Sequence, residues 1–233
     1  MSKMVVDSST LISCGMNCLL WVFDEFRYTG TEFLVPKEVE KEVIDRGLRT
    51  KKYRFEAIRV AHHFVNETLK TSKKDLSKQT NKLLNLANSS FYIKNNPLKI
   101  LEKADAEVAA LAIKEKADAI LTDERTLRLL IEDPDAMEKM LEHRMHKNVR
   151  VDKRKLYSFQ KEVGKIRVLR SVDLLAAALT DKIFEPTFQR CKKIGISEKD
   201  IISGILFALK FSGCSVSFRE VNDLTNLVLR DKK

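Results

Sequence analysis

The sequence contains little of what marks a disordered or repetitive chain. Of its 233 residues only 7 are glycine and 4 are proline, and it has neither a low-complexity tract nor an internal repeat. The apolar share of 44% is ordinary for a globular protein, and a chain of this length can bury a substantial core. We therefore predict one large folded domain, or one domain with additions, and not a chain dominated by disorder.

Cysteine is also scarce, and its spacing argues against the common cysteine-based sites. The four cysteines are Cys14, Cys18, Cys191 and Cys214; none forms a CxxC pair, and no histidine pattern completes a zinc site. Cys14 and Cys18 lie one helical turn apart in an apolar stretch, which favours core packing for both. We expect a reduced, cytoplasmic protein.

Long hydrophobic runs are absent as well. No apolar run reaches the length of a transmembrane helix. Lys3 and Asp7 interrupt the N-terminal stretch too early for a signal peptide. A membrane is therefore not among the expected partners.

Positive charge is what the sequence has in excess. Lys and Arg number 43 against 33 Asp and Glu, a formal net charge of +10. Residues 46–99 hold thirteen Lys/Arg and three Asp/Glu, residues 147–170 hold nine and two, and residues 102–144 hold seven and twelve. Two basic segments thus flank an acidic one, as expected for an acidic metal site with basic arms for a polyanion, although Lys-rich helices with solvated faces would give the same pattern.

Short apolar runs alternate with helical patterns along the chain. We predict strands at residues 4–6, 33–35, 119–122 and 166–169. Predicted helices cover about residues 8–14, 17–26, 37–45, 52–70, 75–93, 105–116, 125–131 and 135–145. Gly47 is expected to end the third helix, and the chain from residue 171 onward is expected to be helical, with Ser197 and Ser217 as caps. This alternation predicts an α/β fold with a central, largely parallel sheet flanked by helices.

Four acidic residues occupy related positions in this pattern. Asp7 and Asp123 end two predicted strands, Asp105 opens the helix before one of them, and Glu42 lies on the helix after another. Taken singly, each aspartate could be a helix cap and Glu42 a solvated side chain. Ligands of parallel sheets bind beyond the carboxyl ends of the strands, and crowded carboxylates favour a hard cation such as Mg²⁺ or Mn²⁺. Such a site suits phosphodiester hydrolysis.

Four segments around these acids resemble the motifs of the PIN-domain family. Residues 5–12 resemble its opening strand motif, and Pro36 followed by Glu42 resembles its second motif. Residues 103–112 are similar to the third, in which an aspartate starts an alanine-rich helix. Residues 119–124 are similar to the fourth, an apolar strand ending in threonine and aspartate. The order of the motifs and the short spacing between the last two also match the family.

The resemblance implies a PIN-like fold and a Mg²⁺- or Mn²⁺-dependent endoribonuclease. The catalytic and metal-binding residues that it implies are Asp7, Glu42, Asp105 and Asp123. Within this set, Glu42 would bind a second metal or position the attacking water. The supporting residues that it implies are Ser9, Thr122 and Glu124. Glu38 and Glu124 are the rivals of Glu42 and Asp123 if the register is shifted by a turn or by one residue.

The chain departs from the family pattern in length. Residues 47–99 form a longer connection than usual, as does the stretch between Asp123 and residue 166, and the tail beyond about residue 181 resembles additions in longer members. We therefore divide the chain into a nuclease domain, residues 1–180, with a basic helical insertion at about 47–99, and a helical C-terminal extension, residues 181–233.

The expected partner is RNA, single-stranded or structured. The insertion residues predicted to contact its phosphates are Arg49, Lys51, Lys52, Arg54, Lys73 and Lys74. An RNA-processing factor, with a partner in a processing complex, is favoured over a toxin with an antitoxin-like partner. The alternatives are a non-catalytic RNA-binding or scaffold protein on the same fold, and an interaction module whose C-terminal helices form a homodimer.

Overall fold

The computed structural model describes residues 2–232, and its central feature is a five-stranded parallel sheet. In spatial order its strands are β3, Leu69–Thr71; β2, Thr31–Val35; β1, Ser2–Val6; β6, Ala119–Leu121; and β8, Arg167–Leu169. A small antiparallel sheet contains, in order, β5, Asn96–Pro97; β4, Phe91–Ile93; and β7, Arg150–Val151.

Helices flank the central sheet, which confirms the predicted α/β class. In the first half of the chain they are α1, Ser8–Met16; α2, Trp21–Tyr28; α3, Lys37–Lys41; a π-helical turn, Glu42–Arg46; α4, Gly47–Arg49; α5, Arg54–Val65; and α6, Ser77–Ala87. In the second half they are α7, Lys103–Glu115; α8, Arg125–Glu132; α9, Pro134–Met145; α10, Lys153–Val163; α11, Ser171–Thr180; α12, Glu185–Lys192; α13, Glu198–Phe211; and α14, Phe218–Asp231.

The four predicted strands are β2, β1, β6 and β8, which lie next to one another in the sheet with their carboxyl ends aligned. Val5 of β1 pairs with Leu34 of β2 on one side and with Ile120 of β6 on the other. These apolar side chains are buried because helices cover both faces of a parallel sheet. The parallel pairing brings the residues that follow the strands, including Asp7 and Thr122, to one edge of the sheet.

The basic insertion is not wholly helical as predicted. The predicted helix 52–70 ends at Val65, and Leu69–Thr71 instead forms β3, which pairs with β2. The predicted helix 75–93 ends at Ala87, and Phe91–Ile93 forms β4 of the small sheet. The backbone groups of β3 bond to β2, and those of β4 bond to the nearby β5 and to the distant β7. A local helical pattern does not reveal the partners β2 and β7, which are distant in sequence.

Gly47 does not end a helix, contrary to the prediction. Its φ is −59°, and the helical path continues through it from the π-helical turn into α4. A Cβ atom at this position would lie 2.7 Å from Cβ of Ala57 on α5. Glycine is therefore needed here for close packing between two helices rather than for a left-handed cap.

Cys14 and Cys18, both predicted to pack in the core, differ in their exposure to solvent. Cys14 is buried in α1. Cys18 follows the end of α1 with a φ of 59° and is exposed, so the prediction of core packing is wrong for this residue.

The C-terminal helices pack against α11 and are hydrogen-bonded to the rest of the chain. Ser197 and Ser217 cap α13 and α14 as predicted. In the α13–α14 connection, Oγ of Ser212 accepts a hydrogen bond from Asn17 Nδ2 at 2.8 Å, and the Ser215 amide donates to the carbonyl oxygen of Asp123 at 3.1 Å. The connection between α13 and α14, which belongs to the predicted C-terminal extension, is thus bonded to the end of β6 in the predicted nuclease domain. None of the helices within residues 2–232 combines the length and apolarity needed to cross a membrane.

Candidate functional site

A cleft of about 400 Å³ opens at the carboxyl edge of the central sheet, between the ends of β1 and β6 and the first turn of α7. We call it the acidic cleft, because six carboxylic acids line it. The residues around it are Asp7, Ser8, Ser9, Glu38, Glu42, Arg46, Glu102, Lys103, Ala104, Asp105 and Glu124. Two of its walls come from residues about one hundred positions apart in the sequence.

Asp7 is held in place by two hydroxyl groups. It follows β1 and caps α1, and its carboxylate is almost fully buried. One of its oxygens accepts hydrogen bonds from Ser9 Oγ at 2.5 Å and from Thr122 Oγ1 at 2.9 Å. Ser9 Oγ in turn accepts from the amide of Asp123 at 3.0 Å, which joins the ends of β1 and β6. Ser9 and Thr122, both predicted as supporting residues, thus donate hydrogen bonds to Asp7.

Asp105 is the acid whose ionisation the fold opposes most clearly. It lies in the third position of α7, which begins at Lys103 and not at Asp105 as predicted, and its carboxylate accepts from the amide of Glu102 at 3.1 Å. Burial, and then the negative charges of Asp7 and Glu124, raise the pKa of Asp105 to about 7. The hydrogen bond from Glu102 opposes this shift but does not cancel it.

Glu42 and Glu124 complete the group around the cleft. Glu42 begins the π-helical turn after α3, and its charge also contributes to the raised pKa of Asp105. Glu124 caps α8, accepting from the amide of Leu127 at 3.2 Å, while its own amide donates to Thr122 Oγ1 at 3.1 Å. A helix cap therefore fixes the orientation of Glu124 at the wall of the cleft.

Asp123 is placed differently from the other predicted acids. Its carboxylate is 1% exposed and points to the start of α11, where it accepts from the amide and from Oγ of Ser171, each at 2.7 Å. It is not among the residues that line the acidic cleft. The structure thus brings Asp7, Glu42 and Asp105 together as expected, and the acid that joins them from the fourth motif is Glu124, the neighbour of Asp123.

Glu38, the rival of Glu42, already has a cationic partner. Lys103 Nζ lies 2.9 Å from its carboxylate and 3.7 Å from that of Glu107. The hydrogen bond from Lys103 holds the pKa of Glu38 below its usual value. Glu42 forms no such pair within residues 2–232, so it is the freer of the two carboxylates to bind a cation.

The basic residues predicted to bind RNA are all exposed, and they fall into two groups. Four of them surround the junction of α4 and α5, and two follow the carboxyl end of β3; in order they are Arg49, Lys51, Lys52, Arg54, Lys73 and Lys74. Lys74 is paired with Glu115 at 2.6 Å. Glu115 also pairs with Lys3, near the amino end of β1, at 3.2 Å, so the Lys74 side chain points away from the carboxyl edge that holds the acidic cleft.

The structure also shows a basic pocket that the sequence patterns do not indicate. Arg125 and Arg128 of α8 line it together with Lys210 of α13. Sequence spacing gave no signal for this pocket, since Lys210 lies more than eighty residues from the arginines.

The acidic cleft fits a metal ion by the chemistry of its side chains and not by a preformed arrangement of ligands. Within residues 2–232 no three His, Cys, Asp or Glu side chains are arranged to hold a metal ion. The four acids nevertheless supply only oxygen atoms, which suit Mg²⁺ or Mn²⁺, and Asp105 gains most from a nearby cation because burial and like charges oppose its ionisation.

A scan against protein-family models finds no match to this chain, and a search of curated proteins finds no significant match either.

Proposed function

We propose that this protein is a divalent-metal-dependent endoribonuclease of the PIN-domain family. The observation that carries the proposal is the position of Asp105, which lies half-buried in one cleft with Asp7, Glu42 and Glu124 at the carboxyl edge of a parallel sheet. The four sequence motifs support the family assignment. The four free cysteines support a reducing, cytoplasmic location.

The acids that would hold the cation are Asp7, Glu42, Asp105 and Glu124. Like charges repel one another, so these side chains are expected to stand apart until a cation neutralises them. When bound, a divalent cation would neutralise charge on a phosphodiester and favour ionisation of an attacking water. Asp123, which the resemblance implies as a ligand, would have to leave Ser171 to join them.

The residues of the chain have separable tasks in this proposal. Ser9 and Thr122 hold the buried carboxylate of Asp7 in one orientation. Asp105, whose ionisation burial and the neighbouring acids oppose, would be held in its charged form by the cation that it binds. The exposed basic residues of the insertion would attract the RNA backbone.

An RNA cleavage assay with metal and variant controls tests the proposal. A panel of labelled single-stranded and structured RNAs is incubated with Mn²⁺, with Mg²⁺ or with EDTA. We expect cutting only with metal, and a loss of at least a hundredfold in Asp7→Asn and Asp105→Asn. The matched control is Asp223→Asn, an aspartate on α14 with a 69% exposed side chain, which should cut like the wild type.

Two further variants distinguish the neighbouring acids. If Glu124 contributes to the site as its position indicates, Glu124→Gln should weaken Mn²⁺ binding in calorimetry at least tenfold, and Asp123→Asn should weaken it less. The reverse order would favour Asp123 as the ligand. Full cutting by both Asp7→Asn and Asp105→Asn would contradict the proposed site, and salt-sensitive RNA binding without any cutting would favour the non-catalytic alternative.

A further inference from the structure

The basic pocket between α8 and the α13–α14 connection has a volume of about 420 Å³. Arg125 and Arg128 lie one helical turn apart on α8, and Lys210 faces them from the end of α13. The acid in its lining, Glu220, is paired with Arg170 at 2.7 Å. The three cations therefore give the pocket a positive potential that its own carboxylate does not balance.

One donor in this pocket lacks a partner. Nε of Arg128 is buried and, within the part of the chain that the structure describes, makes no hydrogen bond. A buried donor without an acceptor is unfavourable, and a guanidinium group binds phosphate or carboxylate oxygens with two parallel hydrogen bonds. An anionic oxygen in the pocket would supply the missing acceptor once the Arg128 guanidinium group turns toward it.

Three phenylalanines lie directly beside the pocket. The ring centroids of Phe207, Phe211 and Phe218 are 5.8 to 6.3 Å apart, and we call this group the phenylalanine cluster. Phe211 is 74% and Phe218 57% exposed. Lys210 joins the cluster to the pocket, because its Nζ lies 4.4 Å from the centroid of the Phe218 ring and donates to the carbonyl oxygen of Val216 at 2.6 Å.

The pocket and the acidic cleft are adjacent. Glu124 lines the cleft, and the next residue, Arg125, lines the pocket. The loop that forms the floor of the pocket is fixed to the end of β6, because the amide of Ser215 donates to the carbonyl oxygen of Asp123. Arg170 also donates to the carbonyl oxygen of Ser215 at 3.2 Å. A chain bound across the cleft would therefore meet the pocket next.

We propose that the basic pocket and the phenylalanine cluster bind the unpaired nucleotides of an RNA strand that continues from the acidic cleft. Arg125, Arg128 and Lys210 contact a phosphate, and the exposed faces of Phe211 and Phe218 stack on bases. This inference rests on the proposed nuclease function for its choice of RNA. Stacking requires splayed bases, so the surface selects single strands over duplexes.

Charge favours RNA over a protein partner or a second copy of this chain. The centres of protein–protein interfaces are depleted of charged residues, whereas this patch adjoins three cations that lack a balancing acid. A polyanion with flat, apolar bases matches both parts of the surface at once. The C-terminal helices, for which a homodimer surface is one of the alternatives that the sequence leaves open, thus acquire a role in substrate binding.

Binding is measured by fluorescence anisotropy in EDTA, so that cutting does not enter the result. The probes are a labelled 20-nucleotide oligouridine and a labelled RNA duplex of equal length. We expect oligouridine to bind more tightly than the duplex, and Phe211→Ser/Phe218→Ser to weaken oligouridine binding about tenfold or more. Arg125→Glu and Arg128→Lys should weaken it as well, and Arg125→Glu should lower the salt slope by about 0.7 per lost contact.

Two control variants test whether the loss of any surface charge, or of any exposed aromatic ring, weakens RNA binding. Lys139→Gln, an exposed lysine on α9, and Tyr28→Ser, an 81% exposed tyrosine at the end of α2, should bind like the wild type. Arg128→Lys keeps the charge and is the variant to use if a larger change at this half-buried position prevents folding.

Three results would overturn the proposal. The first is no binding of oligouridine by the wild type, and the second is binding by all the pocket and cluster variants within twofold of the wild type. The third is a change in oligomeric state in Phe211→Ser/Phe218→Ser, seen by light scattering, with RNA binding unchanged. Because binding is measured without metal, a protein that loses binding in these variants but never cuts RNA would uphold this surface and refute the nuclease.

Discussion

Replacing Asp105 with asparagine removes a carboxyl group whose ionisation the fold opposes. The carboxyl pKa rises from an ordinary value of about 3.9 to about 7, through burial and then the charges of Asp7 and Glu124. A shift of this size corresponds to an upper limit of roughly 4 kcal/mol. Partial exposure and relaxation of neighbouring side chains reduce this, so we expect Asp105→Asn to stabilise the protein at pH 8 by about 2–3 kcal/mol.

The pH dependence follows from the direction of the shift. Between about pH 4 and pH 7 the folded protein binds more protons at Asp105 than the unfolded chain does, so stability of the wild type falls as the pH rises through this window. Below about pH 4 both states are protonated, and the advantage of the asparagine variant should shrink to less than about 1 kcal/mol. The largest difference is therefore expected above pH 7.

Thermal melts of wild type and Asp105→Asn at pH 4 and pH 8, in EDTA, measure this effect. For a chain of this size, a gain of about 2–3 kcal/mol raises the melting temperature by roughly 5–10 °C. Adding Mn²⁺ at pH 8 should stabilise the wild type more than the variant, because the cation neutralises the crowded carboxylates and the variant lacks one of these ligands. Asp223→Asn should melt like the wild type in every condition. A variant that is less stable than the wild type at pH 8 would refute the reasoning.

Two further predictions concern packing and buried hydrogen bonds. Asp123→Ala leaves the buried amide and hydroxyl of Ser171 without their acceptor. It should therefore lower the free energy of unfolding by about 1–3 kcal/mol in urea denaturation. Unchanged stability would contradict a structural role for the Asp123 carboxylate. Gly47→Ala places a Cβ 2.7 Å from Cβ of Ala57 and should destabilise by about 1–2 kcal/mol, whereas Gly204→Ala, with nothing within 4 Å, should stabilise α13 by up to about 1 kcal/mol. Equal effects of these two glycine replacements would argue against the close approach of α4 and α5.

Much of the fold is determined by local patterns in the sequence. Val5, Val6 and residues 119–121 form short apolar runs that predict buried strands, and β1 and β6 are found there. Ser197 and Ser217 begin α13 and α14 as predicted, because a cap is made by a side chain and amides two or three residues away. The positions of Asp7 and Glu42 at one sheet edge follow from the same strand and helix pattern.

Other features depend on residues that are distant in the sequence, and only the tertiary structure decided them. β3 exists because the edge of β2 pairs with it, although its own three residues carry no strand signal stronger than the surrounding helical pattern. Gly47 is required by Ala57 on another helix, not by a turn. Hydrophobic periodicity reports which face of a helix or strand is buried, but not which residue packs or pairs against it, so it reveals neither contact.

The same distinction applies to the candidate site. The sequence by itself determined that acids would gather at the carboxyl ends of β1 and β6, because parallel strands end at one edge. Which of Asp123 and Glu124 lines the acidic cleft was decided by Ser171, whose amide and hydroxyl bind the Asp123 carboxylate from 48 residues away. Arg128 and Lys210 line one pocket only because folding brings the end of α13 near α8. Local spacing determines strands, helices and caps, whereas the direction of a buried side chain depends on the hydrogen-bond partner that folding brings to it.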